Sequence, residues 1–306
     1  NLGGFTADRP IMTPEEVERL IDSSPNKEVK AYFKSVEKGT QLLTYDVILS
    51  GVYREPGRKV VIFKTSHQVV AGMSGSPVYV KGKLVGALAY SFNRFSFSSY
   101  SYGGISPISL MMEEAESDRE HSGAVKSFSY RGMDFEPIAV GHRLIPGLES
   151  LAGGKFVVTT RSVGEATLTA AKTKTMLKAG MPIVVDLIEW TDEKGETTTV
   201  SAMGTITYVG SNGNIFAFGH PFLNSRNVVY SFRTAEVMET VFSQENSYKL
   251  SGKTSGVLGA ITLDAAYGIY GSTSLDELKK IRRFDLEFKR EGGFLHRFEI
   301  RVADCI

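Results

Sequence analysis

A chain of 306 residues with 42% apolar side chains can bury one long core or two compact ones, which excludes a mainly disordered polymer. Thirty-five Lys and Arg against 34 Asp and Glu leave a net charge of +1, so no overall field draws it to nucleic acid or anionic lipid. The single cysteine, Cys305, excludes an internal disulfide and a cysteine-rich metal site, and no window approaches the ~20 apolar residues of a membrane-spanning helix. Glycine outnumbers proline 31 to 10, the balance of many short strands joined by glycine turns. The chain opens on Asn1 without Met, the expectation for a mature or excised form.

Thr13-Pro14-Glu15-Glu16 predicts a helix start, with an N-cap, a proline in the first turn and acids behind it. That helix runs to about Ile21, and a second, more basic one is expected over Lys27–Val36. From Gln41 the period changes to two, and Leu43, Tyr45, Val47 and Leu49 mark a strand. Val60–Phe63 is the next strand, followed by the turn Gly72-Met73-Ser74-Gly75-Ser76-Pro77. Pro77–Val80 and Leu84–Tyr90 form a hairpin about Lys81-Gly82-Lys83. An aromatic and serine-rich run covers Phe92–Tyr102, a surface hairpin or the cap of a groove. Glu113–Ser122 is charged and reads as the linker between two halves.

The second half begins at Phe135–Val140. Strands are expected over Lys155–Thr160, Ala166–Thr169, Ile183–Trp190 and Thr198–Val209. Asn212-Gly213 is a hairpin turn whose second arm, Asn214–Phe218, delivers Gly219-His220-Pro221. Thr234–Phe242 reads as helical and Val257–Ala265 as a strand. Arg282–Lys289 and Phe294–Val302 make a terminal hairpin about Glu291-Gly292-Gly293.

The chemistry centres on Ser74. Flanking glycines let backbone N–H groups converge on one point and leave room for a carbonyl there, so the Gly72 and Ser74 amides are the candidate oxyanion donors. A hydroxyl nucleophile needs a base within hydrogen-bond reach. Of five histidines, His220 is the candidate because a turn fixes it after a strand, although a turn-forming role competes. His67 is too near in sequence, His121 falls in the charged linker, His142 in a turn and His296 on a hairpin arm. Asp264 is the first choice to orient the imidazole, ahead of Glu236 and Asp186. No metal-ligand spacing and no phosphate loop appears, and no cofactor is implied.

The stretch Val70–Ala87 resembles the nucleophile segment of the SpoIVB peptidase family, serine peptidases related to chymotrypsin. Met73 and Ser76, which depart from the trypsin pattern, match that family's motif. Met203-Gly204-Thr205-Ile206-Thr207-Tyr208 followed by Phe218-Gly219-His220 resembles its histidine segment. The resemblance implies Ser74 as nucleophile and His220 as base, in permuted order, with the serine half first. It departs at the acid: Lys64-Thr65-Ser66-His67 holds no carboxylate where the family has one, leaving Asp264 or a Ser–His dyad.

The fold expected is mainly β, two chymotrypsin-like barrels behind an N-terminal helical segment. The divisions are 1–40 for that segment, 41–112 for the nucleophile half, 113–134 for the linker, 135–271 for the histidine half and 272–306 for the terminal hairpin. The function expected is endopeptidase cleavage of protein or peptide substrates through an acyl-enzyme. The resemblance implies a periplasmic or secreted location, and self-cleavage is compatible with it. A catalytically inactive, protease-like binding module is the alternative.

Overall fold

The computed structural model describes residues 10–92, 99–116, 128–130, 133–138, 157–160, 176–195, 197–243, 247–289 and 295–304. His121, His142, Cys305, most of the Phe92–Tyr102 run, the strand expected over Ala166–Thr169 and the Glu291–Gly293 turn lie outside those residues.

The chain enters through α1 (Pro14–Ser23), closed by the Thr13–Glu16 capping box and packed inward by Val17 and Ile21. Six strands follow: β1 (Val29–Val36), β2 (Leu42–Glu55), β3 (Arg58–Thr65), β4 (Pro77–Val80), β5 (Lys83–Ser91) and β6 (Ser101–Pro107). Their order β4-β1-β2-β3-β6-β5 closes through a β4–β5 pairing, giving a six-stranded antiparallel barrel. The helix α2 (Ile108–Glu116) and the small pair β7 (Phe128–Tyr130) and β8 (Met133–Pro137) complete this half, with β8 extending it beside β5.

The second half contains β9 (Val157–Thr160), β10 (Pro182–Thr191), β11 (Thr197–Val209), β12 (Asn214–Ala217), β13 (Arg226–Val241), β14 (Tyr248–Thr254), β15 (Gly259–Ala265) and β16 (Gly268–Ser272). A 3-10 turn at Asp276–Lys280 leads to β17 (Arg282–Lys289) and β18 (Leu295–Val302). The order β13-β15-β16-β12-β11-β10 closes through a β10–β13 pairing into a second six-stranded antiparallel barrel. The terminal hairpin β17–β18 joins this sheet through β10. The molecule is therefore mainly β, two barrels of the chymotrypsin-like kind with one N-terminal helix.

Two expected helices are strands. Lys27–Val36 is largely β1, where Ala31, Phe33 and Ser35 point inward and Lys30, Tyr32 and Lys34 point away from the core, a period of two. The N-terminal 40 residues thus contribute a barrel strand as well as a helix. Thr234–Phe242 is the far end of β13, where Ala235 and Val237 are buried and Glu236 and Met238 are exposed. Ala, Glu and Met favour helix there, but pairing with β14 overrides that preference. Among the described residues no helix is long and apolar enough to cross a membrane.

Candidate active site

The turn 66–76 links β3 to β4, and every residue of Gly72–Ser76 is buried. Gly72 and Gly75 hold φ of +90° and +93°, a left-handed backbone that favours glycine. Within the turn, the Met73 amide donates to Val70 O (3.0 Å), Ser76 to Met73 O (2.9 Å) and Gly75 to Leu88 O (2.7 Å). The carbonyls turn the other way, toward β11. Thr205 N–H donates to Ser74 O (2.7 Å), Thr205 Oγ1 to Gly72 O (2.9 Å) and Thr207 Oγ1 to Gly75 O (2.8 Å). Among the described residues, the Gly72 and Ser74 amides donate no hydrogen bond. They are the two groups named above as oxyanion donors.

The segment that leads into His220 meets the same turn from the other barrel. β12 is followed by Phe218 and Gly219, both with positive φ (69° and 72°), and the Gly219 amide turns back to Ala217 O (2.8 Å). A buried phenylalanine in the left-handed region costs of order 1–3 kcal/mol, which the packing of Phe218 in the second core offsets. The Phe218 amide donates to Thr205 O (3.3 Å). Thr205 therefore stands between Ser74 and Phe218, its N–H on one and its carbonyl on the other. Ser106 of β6 adds a bond from its hydroxyl to Gly219 O. The approach is close: a Cβ on Gly219 would come within 2.7 Å of Ala87 Cβ.

His220 Nδ1 lies 2.8 Å from the Pro221 carbonyl oxygen. A carbonyl only accepts, so Nδ1 carries the proton and the buried Nε2 holds the lone pair that a general base needs. Ser74 is 0% and His220 2% exposed. Ser74 Oγ has no hydrogen-bond partner among the described residues, so the serine–histidine hydrogen bond is not formed in this sealed arrangement.

Asp264 serves the loop after the histidine, which corrects its expected role as the group on the imidazole Nδ1. Its Oδ1 accepts from Phe222 N (2.7 Å), and its Oδ2 accepts from Leu223 N (2.6 Å) and Asn224 N (2.8 Å). Burial pushes this carboxyl above its ordinary value, while the Leu223, Phe222 and Asn224 amides pull it back. Pro221 occupies the position on Nδ1 where an acid was expected.

The other acids are elsewhere. Asp186 and Glu189 pair with the buried Arg233, and Glu236 is exposed. His67 is exposed and packs edge-on against Tyr45. Thr205, Thr207, Ser35 and Lys249 were not singled out from the sequence, because threonines and a lysine inside strand patterns carry no distinguishing signal there. Comparison with protein-family models, curated proteins and solved structures finds no match.

Proposed function

We propose that this chain is a serine endopeptidase of SpoIVB type, acting through an acyl-enzyme on protein or peptide substrates outside the cytoplasm. The observation that carries the reading is the meeting at Thr205 of the glycine-flanked serine turn, with its two uncommitted amides, and the Phe218 segment that leads into His220, whose Nδ1 is engaged by the Pro221 carbonyl. His220 Nε2 takes the Ser74 proton as Oγ attacks the scissile carbonyl. The Gly72 and Ser74 amides receive the oxyanion. The imidazolium, held through Nδ1 by the Pro221 carbonyl, returns the proton to the leaving amine, and water then cleaves the ester. The active pair is a dyad oriented by a backbone carbonyl, and self-cleavage would use the same machinery.

The burial of Ser74 and its unformed hydrogen bond favour a second reading, an inactive binding module on a protease-like fold. Hydrolysis of unfolded casein separates the two. The peptidase reading expects turnover by the wild type and a loss of at least about a thousandfold in both Ser74→Ala and His220→Ala. Turnover that survives in Ser74→Ala, or none in folded wild type, would reject it.

A further inference from the structure

Lys249 is a buried amine that the proposed chemistry leaves unused. It lies on β14, is 4% exposed, and has no carboxylate within 4.0 Å among the described residues. Burying a lysine without a counter-ion is unfavourable, so its contacts matter. Nζ donates to Ser35 Oγ (2.8 Å), and the same oxygen accepts from the Ser76 hydroxyl (3.0 Å). The methylenes of Lys249 lie 3.2–3.4 Å from where a Cβ on Gly72 would stand. Its own amide donates to Ala71 O (3.0 Å), while the Ala71 amide donates to Ser247 O (2.9 Å). Lys249 is thus tied to Ala71 directly and, by way of the Ser35 hydroxyl, to Ser76 at the end of the turn.

The strand pair that carries Lys249 is fastened to the first barrel along its length. Gly39 and Val237 exchange both backbone bonds (2.7 and 2.8 Å). Thr240 Oγ1 donates to Glu37 O (2.8 Å), and the exposed Lys38 Nζ meets Glu239 at 2.6 Å. Lys249 of this hairpin packs on Gly72, two residues before the buried Ser74.

We propose that Lys249 is a positioning residue that latches the β13–β14 hairpin over the nucleophile turn, so that Ser74 is reached only when the hairpin lifts and Lys249 leaves Ser35. The significance of the latch rests on reading Ser74 as the nucleophile, but its test needs no catalysis. The charged group whose field bears on Lys249 is Glu37, at the end of β1, and Tyr45 is the titratable group beside Glu37. Thr240 faces it across the hairpin, and 71–77 carries no charged residue. Burial pulls the Lys249 ammonium from 10.5 down to about 7, with Glu37 opposing. A lifted Lys249 regains its ordinary affinity for a proton. Opening therefore takes up a proton between pH of about 7 and 10.5, and rising pH favours the latched form by up to about tenfold per unit in that window and no further below it.

A single thiol reads this out. Ser74→Cys with Cys305→Ser is reacted with the disulfide reagent DTNB from pH 5.5 to 10, alone and with Lys249→Ala or Ser35→Ala, folding being checked by circular dichroism. The latch predicts that both added substitutions speed the reaction at least about tenfold at pH 8. It also predicts that the ratio of the Lys249→Ala rate to the parent rate, which cancels the thiol's own ionisation, climbs from pH 7 to 10 and is flat below 7. Rates within twofold of the parent for both folded variants, or a pH-independent ratio, would overturn it. If Lys249→Ala does not fold, Ser35→Ala decides alone. If casein hydrolysis also fails in the unlatched Lys249→Ala and Ser35→Ala chains, which keep Ser74, while these thiol results hold, the peptidase reading falls and the latch stands.

Discussion

Gly75 shows how little room the site leaves. A Cβ there would fall 1.9 Å from Thr205 O and 2.6 Å from Phe218 N, so only glycine lets the nucleophile turn and the histidine segment share Thr205. Asp264 works at the same scale, and its role separates a loop anchor from a triad acid. Three backbone donors converge on its two oxygens, whereas an amide has one acceptor oxygen and would face a donor with its own NH2. Asp264→Asn is expected to cost about 1–3 kcal/mol in urea unfolding. It should slow casein hydrolysis by about tenfold, far less than the roughly ten-thousandfold seen when a triad acid is neutralised. A loss of that larger size without destabilisation would return Asp264 to the imidazole. The two turns that carry Ser74 and His220 were legible in the sequence because glycine and proline mark them. Pro221's carbonyl was not, because a backbone acceptor leaves no residue-type signature.

Among the elements, α1 was readable from its cap, and the β5, β12 and β17–β18 arms from alternation and turn residues. β1 and the far end of β13 were not, since Lys, Ala, Glu and Met carry helix preference while long-range pairing sets the strand. That error hid the second layer of the site, because Ser35 lies on β1 and the β13–β14 hairpin carries Lys249. β10 and β13 also share a buried charge cluster. Arg233 Nε is 2.7 Å from Asp186 Oδ2, its Nη2 also pairs with Glu189, and Arg301 meets Glu189 at 2.9 Å. Burial raises the Asp186 carboxyl above its ordinary 3.8 even beside Arg233. Arg233→Met would leave that carboxylate short of its main partner and cost about 3–5 kcal/mol at pH 7. A raised carboxyl binds its proton more readily in the folded than in the unfolded chain, so the variant should recover stability as pH falls from 7 toward 5, relative to wild type. Urea midpoints across that range test it, and a constant gap would contradict it.

At the scale of the whole molecule, the barrels are joined by hydrogen bonds that also build the site. Thr205 and Thr207 bind the turn, Ser106 binds Gly219, and the hairpin binds Gly39 and Ala71. A further tie is Glu114 of α2, fully buried, which accepts from Ala266 N (3.0 Å), Tyr267 N (2.8 Å) and the Tyr270 hydroxyl (2.7 Å). The chain should therefore unfold in one calorimetric transition, and Glu114→Ala should lower its midpoint and split it into two. Two transitions in the wild type would mean that the barrels are independent. The mainly β character was visible in the spacing of strands and turns and the two barrels were what the family resemblance implied, whereas these cross-barrel ties join residues far apart in the chain and no local pattern announces them. The central claim, that Ser74 is an activated nucleophile, is tested most directly by mapping a fluorophosphonate adduct by tandem mass spectrometry. A single adduct on Ser74, absent from His220→Ala, is expected. An adduct on another serine, or labelling of Ser74 that persists in His220→Ala, would contradict it.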